Sequence, residues 1–187
     1  MVTSSRFSIA LAVAISLGVA HRATAQTPNH WSADAAIGSG TGHGGEYFDD
    51  GRVAAHLAVA KRLLERGKLA VSLEAGYDWL GLGAVKLVCP LNARGDCRRR
   101  FPDIAGPSAS TGVLFAPWTR VEARAGVGGA AYSVDGTRVG AAIGQLDAAV
   151  FPAAHIGVVL GARFVVIPQY RHDRLTMIPV LFGLRFR

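Results

Sequence analysis

The stretch Leu69-Ala70-Val71-Ser72-Leu73-Glu74-Ala75-Gly76-Tyr77-Asp78-Trp79 decides how this chain is read. Side chains of an extended strand point alternately to opposite faces, so Leu69, Val71, Leu73, Ala75, Tyr77 and Trp79 share one side. Ala70, Ser72, Glu74, Gly76 and Asp78 share the other. One face is apolar and ends in aromatics, as a lipid-facing strand does where it meets headgroups. The other carries acids and small residues.

The same period of two recurs along the chain. Trp31, Ala33, Ala35 and Ile37 oppose Ser32 and Asp34; Val53, Ala55, Leu57 and Val59 oppose Ala54, His56 and Ala58. Val121, Ala123, Ala125 and Val127 oppose Glu122, Arg124, Gly126 and Gly128, and Leu146, Ala148 and Val150 oppose Gln145 and Asp147. Ile156 to Val166 alternates against Gly157, Gly161 and Arg163, and the last stretch sets Ile178, Val180, Phe182, Leu184 and Phe186 against Gly183 and Arg185. With the less regular Ser108–Ala116 these stretches make eight strands, most of about 9–11 residues, the length a tilted strand needs to cross a bilayer. Ala54–Arg66 also fits a helix, but the tight Glu65–Gly67 turn before Leu69 favours a hairpin. Short turns at Pro117-Trp118 and Pro152–His155 and an Asp135-Gly136 signal punctuate the pattern. The long connections, Gly42–Gly51 and Leu80–Pro107, follow the first and third strands and so fall on one side of a barrel.

Composition narrows the classes. The chain has 187 residues, room for one domain and a processed segment, and its 23 glycines disfavour a helical bundle. No apolar run after residue 25 is long enough for a spanning helix. Met1–Ala25 reads as a secretory signal peptide: Arg6 in the positive region, Phe7–Ala20 as the apolar core, and Ala23-Thr24-Ala25 as the cleavage site. Residues 26–187 are then the mature domain. The formal charge of +7 raises nucleic acid as a partner, but the cations are scattered apart from Arg98–Arg100, and no helix-turn-helix or aromatic RNA-binding signature accompanies them. No nucleic-acid partner is expected.

The faces admit two senses. A soluble, lipocalin-like barrel would turn its apolar faces inward around a ligand; a membrane barrel turns them outward, and backbone satisfaction then forces closure. The polar faces are rich in Gly, Ala and Ser with few charges, which suits a narrow lumen. The expected fold is therefore all-β, an eight-stranded antiparallel up-and-down transmembrane β-barrel. Glu74, Asp78, Glu122 and Asp147 oppose Arg124, Arg163 and Arg185 on those faces. Unpaired charges in a small lumen are costly, so these seven are expected to form an ion-pair network that plugs it.

Candidate chemistry outside the lumen is sparse. Cys89 and Cys97, two cysteines in one loop of an exported chain, are expected to form a disulfide that staples it. A metal site needs more ligands than this pair, so neither a metal nor a cofactor is expected. Arg94-Gly95-Asp96 reads as a solvated turn, and Arg98, Arg99 and Arg100 are surface-contact candidates for lipopolysaccharide phosphates. His172 lies near the outer rim with no serine two residues away, His155 falls at the opposite end, and His56 faces the lumen alone. No G-x-S-x-G occurs, so no enzyme is expected.

The signal peptide, eight alternating strands and a last strand ending in Phe186 make residues 30–187 resemble the small outer-membrane β-barrels: OmpA transmembrane domains, OmpX and the opacity-type porin-like proteins. That resemblance implies a structural, adhesive or protective role, insertion by the barrel-assembly machinery, and outer-membrane lipids and lipopolysaccharide as surroundings. The family usually ends on the aromatic itself, whereas here Arg187 follows Phe186. A lipid-modifying hydrolase in a barrel of the same size is the runner-up class, and an extracellular ligand stays unidentified.

Overall fold

In the computed structural model the chain is described at residues 30–44, 47–48, 52–82, 99–100, 103–134, 136–170 and 173–187. Ten strands form, and among the described residues there is no helix. Eight are long: β1 (Trp31–Gly44), β3 (Arg52–Arg66), β4 (Leu69–Leu82), β6 (Ile104–Trp118), β7 (Val121–Val134), β8 (Thr137–Val150), β9 (Ile156–Tyr170) and β10 (Asp173–Phe186). The two-residue strands β2 (Tyr47–Phe48) and β5 (Arg99–Arg100) pair in parallel beside the end of β1.

Each long strand pairs antiparallel with its sequence neighbour among the eight, and β10 returns to pair with β1 from Ala33↔Phe186 to His43↔Thr176. The sheet is a closed barrel of eight strands, and closure removes the edges that would otherwise recruit another chain. Glycines let the seam close. A Cβ on Gly38 would sit 1.8 Å from the Val180 carbonyl oxygen, and one on Gly183 would sit 2.1 Å from that of Ala35. The tight turns use glycine differently, through positive φ at Gly67 (62°) and Gly136 (81°).

Ala54–Arg66 is strand, not helix, because its outward face continues the wall between β1 and β4. The strands are 14 or 15 residues long rather than the expected 9–11. At about 3.3 Å per residue and a tilt near 40° they rise about 36 Å, more than the apolar band of about 25 Å that a bilayer requires. The supposed loop residues Gly42–Gly44, Leu80–Leu82 and Ile104–Pro107 are therefore strand. Residues 30 and 187 lie at one end of the barrel, called here the near end, with the 67–68, 119–120 and 151–155 turns. The opposite strand ends, at residues 44, 52, 82, 104, 134, 137, 170 and 173, make up the far end. The expected signal peptide, Cys89, Cys97, Arg98 and His172 fall outside the described residues, as do the side chains of Arg99 and Arg100.

Candidate functional site

The feature that sets this barrel apart is what fills it. Inward positions carry Asp34, His56, Glu74, Asp78, Glu122, Arg124, Arg163 and Arg185, all under a tenth exposed. Cross-strand register explains their meeting. Asp34 of β1 is directly opposite Arg185 of β10, and Arg124 of β7 is opposite Asp147 of β8.

These two pairs interlock in the lumen. Arg185 donates from Nε to Asp34 Oδ1 and from Nη2 to Asp34 Oδ2, both at 2.8 Å, a bidentate geometry. The same Nη2 reaches Asp147 Oδ1 at 2.7 Å. Arg124 closes the ring, with Nε 2.8 Å from Asp147 Oδ2 and Nη2 2.9 Å from Asp34 Oδ2. Two guanidiniums and two carboxylates alternate around one square. Nothing local in the sequence announces it, since Asp34 and Arg185 are 151 positions apart.

A second cluster lies toward the far end. His56 is opposite Asp78 in register, and its Nδ1 sits 2.7 Å from Asp78 Oδ1. Tyr132 donates its hydroxyl to the other Asp78 oxygen at 2.6 Å. Arg163 lies between them, 2.9 Å from His56 Nε2 and 3.4 Å from both Glu74 Oε1 and Asp78 Oδ2. Arg124 also pairs with Glu74, which joins the two clusters. His56 does not stand alone in the lumen as the sequence suggested.

The near mouth is closed by a third group. Glu122 pairs with Arg62 and accepts from Arg187 Nη1 at 2.8 Å. Arg187 donates further to the Thr119 carbonyl at 2.7 Å and the Ala154 carbonyl at 3.1 Å, and its guanidinium lies 3.7 Å over the ring of Phe151. Phe151 is fully buried with Ala149 and Val159.

Glu74, Asp78, Glu122, Arg124, Asp147, Arg163 and Arg185 take part in these ion pairs together with Asp34, His56, Arg62 and Arg187, and Tyr132 bonds to Asp78. The additions settle the charge. Four acids against three arginines leave the expected set unbalanced; Asp34, Arg62 and Arg187 bring it to five carboxylates and five guanidiniums. Asp34 was readable as the polar-face residue of its stretch. Arg62 continues the inward alternation of Ala54, His56, Ala58 and Ala60, whereas Arg187 was not readable because it follows the last strand.

The lumen is not polar throughout. Its far third is an apolar core of Leu80, Ile104, Val134, Val165, Ile167 and Leu175, with Tyr132, Ile143, Tyr170 and Met177 against them. Among the ion pairs a cavity of about 30 Å³ remains, lined by Asp34, His56, Arg124, Asp147 and Arg163 among others. That is room for about one water. Of the described histidines, His56 is held as above, His155 Nδ1 lies against the Arg187 carbonyl, and His30 pairs with Glu65.

The outer surface inverts the usual order. Ile37, Leu73, Val127, Leu146, Leu160, Phe164, Val180 and Phe182 are each between 45% and 67% exposed. Exposed Tyr77 and half-buried Trp79 form an outward aromatic pair with ring centroids 4.5 Å apart.

Among solved structures the chain is similar to Neisserial surface protein A, with a TM-score of 0.55 at 10% identity, covering 86% of this chain and 99% of that one. It also matches Ail, the attachment invasion locus protein of Yersinia pestis (TM-score 0.41, 14% identity, 83% and 98% covered). A third match is the outer membrane protein OprG from Pseudomonas aeruginosa (TM-score 0.45, 10% identity, 83% and 94% covered). No protein-family model and no curated protein matches the sequence. At such identity the likeness to Neisserial surface protein A is one of fold, that of the small eight-stranded barrels.

Proposed function

We propose that this chain is an outer-membrane β-barrel protein with a structural or surface-interaction role, its lumen plugged by ion pairs and its contacts made through the far-end loops. The inverted sidedness carries the reading. Large apolar side chains face out and ten formal charges face in, which is stable in hydrocarbon and costly in water. A soluble lipocalin-like binder needs an apolar cavity, and charge occupies the middle of this lumen. The near end would face the periplasm, and lipopolysaccharide phosphates would meet the far-end basic run Arg98–Arg100.

Fractionation with a heat-modifiability gel tests this. The protein should sediment with outer membranes and migrate faster unheated than boiled. A soluble periplasmic protein would overturn the assignment. In planar bilayers the plugged lumen should give no steady conductance; resolved channel steps would refute the plug while leaving the membrane location intact.

A further inference from the structure

The near rim carries cations that the protein itself does not neutralise. Lys61, Arg66, Lys68 and Arg120 are exposed, and among the described residues none of them is in an ion pair. The exposed carboxylate at this rim, Glu65, is already held by Arg62 at 3.7 Å and His30 at 3.6 Å. Glu122 is buried behind Arg62 and Arg187. Among the described residues, net positive charge is thus left on the outside of this rim.

These cations sit on an apolar girdle. Trp118 is 69% exposed, Leu64 70%, Trp31 52% and Phe115 44%. Lys61 faces Trp31 in register and holds its Nζ 5.2 Å over that ring. A register shift between Arg62 and Leu64 turns both Leu63 and Leu64 outward, while Arg62 keeps its bond to Glu122. The Lys68 carbonyl accepts from Ala116 N and the Arg120 carbonyl from Phe151 N, so backbone bonds fix both cation-bearing turns.

We infer that this belt recognises anionic phospholipid headgroups in the leaflet at the near end. The inference rests on the membrane reading above and adds a lipid preference to it. Aromatic and leucine side chains fix the depth at the hydrocarbon boundary, which places the four cations at the level of the lipid phosphates. A zwitterionic headgroup offsets its own phosphate; an anionic one leaves it for the protein. A soluble anion would engage the cations but leave the Trp and Leu girdle uncovered.

The test uses the full mature chain with Trp79→Phe, so that Trp31 and Trp118 report from the near rim. The protein is refolded into phosphatidylcholine vesicles containing either brominated phosphatidylcholine or brominated phosphatidylglycerol. Bromine should quench both tryptophans, with the phosphatidylglycerol form favoured about threefold and the preference shrinking in high salt. K61Q/R66Q/K68Q/R120Q should bring the ratio to about one while remaining heat-modifiable, and K68Q/R120Q should show part of that loss if the quadruple variant fails to fold. Equal quenching by both lipids in the parent protein overturns the inference and leaves the membrane reading standing. Quenching by neither overturns both. A preference that survives the substitutions, or that inorganic phosphate abolishes at matched ionic strength, also overturns it.

Discussion

The two ends of this barrel obey opposite rules. From the near rim through the middle, the wall is apolar outside and charged inside. Over the far third the sense reverses: Leu80, Ile104, Val134, Val165, Ile167 and Leu175 pack inward, while Ser39, Thr41, Ser133, Gln169 and Arg174 face out. Val53, Ile178 and Val180 are large apolar side chains that stay exposed beside them. One sheet therefore holds a membrane-type barrel and a water-type barrel end to end, and the strands cross from one to the other without a break. The difference teaches that side-chain alternation defines two faces but leaves open which solvent each face meets. That depends on the height along the strand. The proposed bilayer would end where the sense changes, and the extra strand length would stand in water over its own apolar core.

Substitutions can break this comparison or sharpen it. The largest effect is expected at Arg185, which is 1% exposed and holds Asp34 and Asp147. Arg185→Leu leaves two buried carboxylates under-paired, and urea unfolding of the inserted barrel should show a loss of about 3–5 kcal/mol. A loss below about 1 kcal/mol would mean that the square of charges is not a structural element. In the far core, Leu175→Ala should cost about 2–4 kcal/mol by leaving a cavity among Ile167, Tyr170 and Met177. If it is neutral there, the far third is not packed as a water-type barrel.

One substitution at two heights sharpens the contrast. Leu160→Arg, on the outward face of the proposed membrane belt, should destabilise the inserted barrel by about 2–4 kcal/mol. Thr176→Arg, outward on β10 near the far end, should change it by less than about 0.5 kcal/mol. Equal costs at both sites would erase the proposed boundary.

Much of the architecture was legible because it is periodic. The alternation of Leu69–Trp79 marks one strand, and its recurrences give eight. The acids and arginines of the polar faces mark seven lumen residues. The far core was written in the same alternation, as Leu175, Met177 and Leu181 precede Arg185 on the inward face of β10. Strands of only about 9–11 residues, the length that a bilayer requires, end before they reach it. His56 and Tyr132 meet at Asp78 only because closure brings β3, β4 and β7 around one lumen.

The sequence by itself determined that the chain is a set of amphipathic strands with one charged and one apolar face, since side-chain period and composition are local properties. Which charges pair, that Arg187 and Phe151 seal one mouth, and where the two faces exchange solvents were decided by the tertiary structure. Register, closure and strand tilt set those distances, and each couples residues too far apart in the chain for local pattern to relate them.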